Sequence, residues 1–74
     1  MVGVMKLIGE NLFKLRKRLG LTQGDLGHTV GIRRETINRI ERNKMNPTIE
    51  LVYQICRRLG VPVKELITEP EELV

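Results

Sequence analysis

The sequence has one cysteine, one histidine, no tryptophan and only two other aromatics, Phe13 and Tyr53. A single cysteine, Cys56, excludes an internal disulfide, and Cys56 with His28 is too small a ligand set for a structural zinc site. Two aromatics argue against base-stacking platforms for single-stranded nucleic acid. No apolar run approaches the ~18 residues of a membrane-spanning helix. Residues 1–8 are apolar but short, and no small-residue cleavage site follows a charged lead, so no signal peptide is expected. A lone thiol without an export signal predicts a reducing, cytoplasmic setting. At 74 residues and 8.5 kDa the chain is near the lower size limit for independent folding, burying only roughly 60% of its unfolded surface. With disulfides and structural metal excluded, length alone suggests self-association as further support.

What is present is basic charge. Thirteen Lys and Arg against nine Asp and Glu give +4 and a pI near 9.7, a balance that suits a polyanionic partner. The total conceals a division. All thirteen bases and six of the acids lie in residues 1–68, a net +7, whereas residues 69–74 hold three acids and no base. Much of the basic charge falls in two runs, residues 14–18 and 33–44. The chain therefore reads as one domain over 1–68 followed by a short acidic C-terminal tail over 69–74, loose unless a partner orders it.

Gly and Pro punctuate the chain at short intervals, and five helices fit between the breaks. The first is expected over residues 8–19, where Ile8, Leu12, Leu15 and Leu19 recur at helical spacing, and Gly20 follows as a terminator. The second opens at Thr22, whose spacing to Asp25 is that of a capping box, with Leu21 and Leu26 placed as a hydrophobic staple. It ends before Gly31. It also carries Gly24 and Gly27, each costing about 1 kcal/mol against Ala and marking a close approach of backbones. The third spans residues 34–42, with Ile37 and Ile40 inward and Glu35, Asn38, Arg39 and Arg42 outward. Residues 43–47 form a loop. Thr48 caps the fourth helix, which turns Leu51, Val52, Ile55, Cys56 and Leu59 inward and stops at Gly60. A last short turn covers residues 63–67. Strand-like alternation is weak and confined to residues 1–5.

Catalysis finds little support. Cys56 falls on the apolar face of the fourth helix, where a buried thiol is inert. His28 lies on the wet side of the second helix, as a solvated group or a phosphate contact. No carboxylate pair or Gly-rich phosphate loop is evident, so no enzyme activity, metal, cofactor or small-molecule substrate is expected. The stronger constellation is two short helices joined by a tight turn at Gly31, docked through Leu26, Val30, Ile32, Ile37 and Ile40. That is how a helix-turn-helix unit is built, and the polar, Arg-bearing face of its second helix fits the major groove of B-DNA.

Residues 7–67 resemble the XRE-type regulators, the Cro and phage-repressor kind of helix-turn-helix protein. The resemblance rests on Leu-Gly-Leu-Thr-Gln at 19–23, Leu26-Gly27, Val30-Gly31-Ile32, Arg34-Glu35-Thr36-Ile37, Ile40-Glu41, Lys44, Asn46-Pro47-Thr48, Leu59-Gly60-Val61 and Glu65-Leu66. It implies an all-α, compact five-helix domain of the lambda-repressor-like type. It further implies a sequence-specific regulator of transcription, a repressor, that binds double-stranded operator DNA as a homodimer. Arg34, Glu35, Asn38 and Arg39 match or adjoin positions that read bases. Gln23, Arg33, Thr36, Arg42, Asn43 and Lys44 are the expected phosphate contacts. Arg16 and Glu41 match a structural ion pair between the first and third helices. The plain reading of Glu35 and Arg39, four residues apart, is that they pair with each other. Two departures stand out: Arg33 replaces the usual Ser or Thr cap of the third helix, and Asn43 stands where glycine is common.

Apolar residues beyond the needs of the core are candidates for the dimer face: Met1, Val2, Val4 and Met5 at one end, and Val63, Ile67, Leu73 and Val74, the favoured set, at the other. The alternative function keeps the fold but makes it a protein-binding module, such as an antitoxin or a transcription bridging factor, served by the acidic tail.

Overall fold

The computed structural model describes residues 4–68, with side chains from Leu7 onward. It contains five helices: α1 (Val4–Arg18), α2 (Gln23–Val30), α3 (Arg34–Glu41), α4 (Ile49–Leu59) and α5 (Lys64–Ile67). No strand occurs among the described residues. Expected helix positions and order agree with this all-α architecture. Thr22 and Thr48 cap α2 and α4, their hydroxyls accepting from the N–H groups of Asp25 at 2.9 Å and Leu51 at 3.1 Å. Each of α1 to α4 is followed by a left-handed residue: Gly20, Gly31, Asn43 and Gly60.

One buried cluster fills the centre. It takes Ile8, Leu12 and Leu15 from α1, Leu26 and Val30 from α2, Ile37 and Ile40 from α3, Val52, Ile55 and Cys56 from α4, and Leu66 from α5. Burial pushes the Cys56 thiol above its ordinary pKa and keeps it in the protonated, unreactive form. Ile32, Leu51 and Leu59 pack on the cluster from its edge. α3 lies against both α1 and α2.

Two differences from the sequence expectation have physical reasons. α1 starts at Val4, not Ile8, because no breaker lies between them and Leu7 joins the buried face one turn before Asn11. Leu19 keeps the helical spacing but is exposed, since it stands past the last residue of α1. Asn11, a polar residue on the apolar stripe, is buried: its Nδ2 donates to the carbonyls of Leu66 and Thr68, both at 2.9 Å, clasping α1 to α5. Of the dimer candidates, Ile67 is exposed and Val63 half-buried. The residues Met1, Val2, Leu73 and Val74, the side chains of Val4 and Met5, and the acidic tail lie outside what is described. Exposed apolar surface also occurs on α4, at Ile49 and Tyr53.

Candidate nucleic-acid interface

The approach from α2 to α3 is set by backbone contacts. Thr22 and Asp25 form the reciprocal capping box: besides the Asp25 N–H on the Thr22 hydroxyl, the Thr22 N–H donates to Asp25 Oδ2 at 3.0 Å. The Thr22 N–H foremost, and after it the Thr22 hydroxyl, hold the Asp25 carboxyl below its ordinary pKa. At the other end Gly31 turns left-handed (φ 82°), so that the N–H groups of Gly31 and Ile32 both reach the Gly27 carbonyl, at 2.8 and 2.7 Å.

Two glycines then fix α3 from either side. A Cβ on Gly27 would lie 2.4 Å from the Ile32 carbonyl oxygen and 3.3 Å from the Arg34 nitrogen, at the start of α3. A Cβ on Gly9 of α1 would lie 2.5 Å from the Ile40 carbonyl oxygen, at its end. Gly27 was legible as a close-approach residue. Gly9 was not, because its partner is about thirty residues away and no local pattern announces it. Gly24 has no such tight neighbour.

So held, α3 buries Ile37 and Ile40 completely and turns its polar residues outward. Arg34, Glu35 and Arg39 are exposed, while Thr36 and Asn38 are half-buried. Gln23, Arg34, Glu35, Asn38 and Arg39 line a single shallow cleft between α2 and α3. The four expected base readers and one expected phosphate contact are therefore side by side. Glu35 does not pair with Arg39; its carboxylate is 3.7 Å from Arg34 Nε, and both side chains are largely in solvent. An ion pair of that kind contributes about 0–1 kcal/mol.

A polar network runs behind this cleft. The Arg16 guanidinium forks onto Glu41, with Nε to Oε2 at 2.7 Å and Nη2 to Oε1 at 3.0 Å. Its Nη1 donates to the Leu21 carbonyl at 2.8 Å. Both side chains are almost fully buried, and Glu41 acts first in raising the Arg16 pKa. Gln23 Nε2 donates to Glu41 Oε1 at 3.1 Å, and Asn38 Nδ2 donates to Gln23 Oε1 at 3.3 Å. The links from Gln23 to Glu41 and Asn38 are absent from any sequence pattern, since amide partners fifteen and eighteen positions away leave no periodic signal.

The remaining expected residues flank the helix. Arg33 precedes α3, is exposed and makes no side-chain cap. Arg42 and Lys44 are exposed beyond its C-terminus. Asn43 adopts φ 60°, and its N–H and that of Lys44 close the helix end on the Ile40 and Arg39 carbonyls at 3.1 and 2.8 Å. Its Oδ1 is buried without a partner, close to Gly9. The structure thus gives Asn43 a backbone task and turns its amide oxygen inward. No cluster of three or more metal-ligating side chains occurs among the described residues.

Residues 12–66, all five helices in whole or part, match the family model described as helix-turn-helix. The chain belongs to the XRE-type helix-turn-helix family. Within this family it is 36% identical over 67 residues to an uncharacterised HTH-type transcriptional regulator of Sinorhizobium fredii, covering 90% of this chain and 87% of that protein. An uncharacterised HTH-type transcriptional regulator of Archaeoglobus fulgidus is 41% identical over 61 residues, covering 81% of this chain and 87% of its own. Among solved helix-turn-helix structures, the restriction-modification controller protein C.AhdI from Aeromonas hydrophila superposes with a TM-score of 0.79 at 26% identity, over 84% of this chain and 90% of that one. The family fold is thus the lambda-repressor-like one expected from the sequence. The antitoxin PezA of Streptococcus pneumoniae is 33% identical over 67 residues, 90% of this chain but 42% of that protein.

Proposed function

We propose that the chain is a sequence-specific DNA-binding regulator of transcription, a repressor, acting as a homodimer on a two-fold symmetric operator. The observation that carries this reading is the outward face of α3. Arg34, Glu35, Asn38 and Arg39 line one cleft, with exposed Arg33, Arg42 and Lys44 at the two ends of the helix. Arg39 is suited to fork onto guanine O6 and N7, and Glu35 to accept from cytosine N4. Arg33, Arg42 and Lys44, with Gln23, supply phosphate contacts. In a dimer the two α3 helices would enter successive major grooves about 34 Å apart.

Residues 1–68 form the DNA-binding unit in this reading, and residues 69–74 an acidic appendage. Dimerisation through the C-terminal end uses Ile67, which is exposed as that requires. An Ile67→Glu variant should run as a monomer in light scattering; a dimer of unchanged affinity would move the interface to Ile49 and Tyr53 on α4.

Selection of bound sequences from a random duplex pool tests the central claim. A two-fold symmetric motif is the expected result, and no enrichment overturns it. The second reading, a protein-binding module of the antitoxin kind, is supported by the likeness to PezA and by exposed Ile49 and Tyr53. It would be favoured by a stoichiometric second protein co-purifying from the native host together with no enriched duplex.

A further inference from the structure

We infer that Asn38 reads an adenine, and that Glu41, acting through Gln23, sets which way the Asn38 amide faces. This rests on the DNA-binding reading and adds a positional specificity to it. Glu41 grips Arg16 in a two-point fork, the contact of a carboxylate, and a carboxylate accepts but does not donate. The Gln23 amide must therefore turn its Nε2 toward Glu41, as it does at 3.1 Å. Its other end, Oε1, is then the acceptor presented to α3. Asn38 meets it with Nδ2 at 3.3 Å. Each amide has one orientation that satisfies its neighbour, and the buried charge at Glu41 decides both.

The consequence lies in what Asn38 has left. Its Oδ1 remains free as an acceptor and one Nδ2 hydrogen remains free as a donor, on a half-buried side chain in the cleft that also holds Arg34 and Arg39. An acceptor beside a donor is what the adenine N6 amino group and N7 require in the major groove. With the amide fixed before binding, the order of acceptor and donor along the groove is fixed too. Gln23 and Glu41 are positioning residues in this scheme, and Asn38 is the reader.

The test uses the full chain and its selected duplex, with 7-deazaadenine replacing adenine one position at a time to remove N7. The wild-type chain should show one sensitive adenine in each half-site, with binding weakened roughly tenfold there. Asn38→Ala should bind the natural and substituted duplexes equally at that position. Gln23→Met, which keeps the side-chain length but cannot orient Asn38, should shrink the N7 sensitivity to less than half. Its unfolding midpoint identifies any loss that is merely structural, since a fold defect weakens both duplexes alike. Duplexes that bind but show no Asn38-dependent adenine overturn the inference and leave the DNA-binding reading standing. So does full N7 sensitivity retained by Gln23→Met. Failure to enrich any duplex overturns both.

Discussion

The two helices of the central unit have the same length, eight residues each, and begin in opposite ways. α2 starts on a complete reciprocal cap, Thr22 with Asp25, made by its own neighbours in sequence. α3 starts on Arg33, which caps nothing. What α3 lacks locally it receives from distant residues. Gly27 and Gly9 admit its two ends, Ile37 and Ile40 anchor its inner face, and Arg16 holds Glu41 in its last turn. Short helices are marginal on propensity alone, so one source of support must be present. In α2 that source is partly local, and in α3 it is almost wholly tertiary, which leaves the beginning and outer side of α3 free of structural duties.

Cutting the tertiary support should do the most damage. Arg16→Ala strands the buried Glu41 carboxylate and is expected to cost about 3–5 kcal/mol in urea unfolding. A loss below that of a cap variant would mean that α3 is held in some other way. Gly27→Ala comes next. Its Cβ would meet backbone atoms rather than a yielding side chain, and overpacking of this kind costs typically about 1–3 kcal/mol. Gly9→Ala should behave alike at the other end of α3.

Local changes should be smaller. Thr22→Ala removes the cap of α2 and should cost about 1 kcal/mol. Arg33→Ser supplies α3 with a cap and should raise stability by about 1 kcal/mol. The same change should weaken binding to all duplexes and flatten the salt dependence by about one unit. Stability gained with no loss of binding would deny Arg33 any contact with DNA. The smallest effect is one of pH. The Asp25 carboxyl is held below its ordinary pKa by the Thr22 hydrogen bonds. Its contribution is therefore complete above the ordinary carboxylate range and disappears as pH falls through the lower folded value. Asp25→Asn should lose stability near neutrality and match the parent chain in strong acid, measured as unfolding midpoints across that range.

The same contrast explains what could be read in advance. The Thr22–Asp25 cap and the stops at Gly20, Gly31 and Gly60 are local events, written within a few adjacent residues, and helix order followed from them. The inward residues Leu26, Ile37, Ile40 and Ile55 obeyed helical period. Arg16 and Glu41 were joined only through family resemblance, because twenty-five positions separate them. Gly9 and the amide partners of Gln23 were illegible for the same reason. Asn11 did leave a trace, as a polar residue set among Leu7, Ile8, Leu12 and Leu15, and such a residue demands buried partners. The sequence could raise that question, but only the arrival of α5 answers it. At the cleft, the residue types were readable. Which amide atoms of Gln23 and Asn38 are tied follows from Glu41, behind the cleft.

The clasp at Asn11 bears on how the chain is made. Synthesis delivers the N-terminal residues first, so α1 emerges bearing an amide on its apolar face whose acceptors are the carbonyls of Leu66 and Thr68. Covering that amide before those carbonyls arrive buries an unsatisfied donor, at about 1–3 kcal/mol. A nascent chain that already holds every residue of α2 and α3 is therefore disfavoured from covering that face of α1 until α5 is available. Asn11 thus ties closure over this face of α1 to the arrival of α5, a coupling that chains ending before and after residues 64–68 would show as a step in protease resistance.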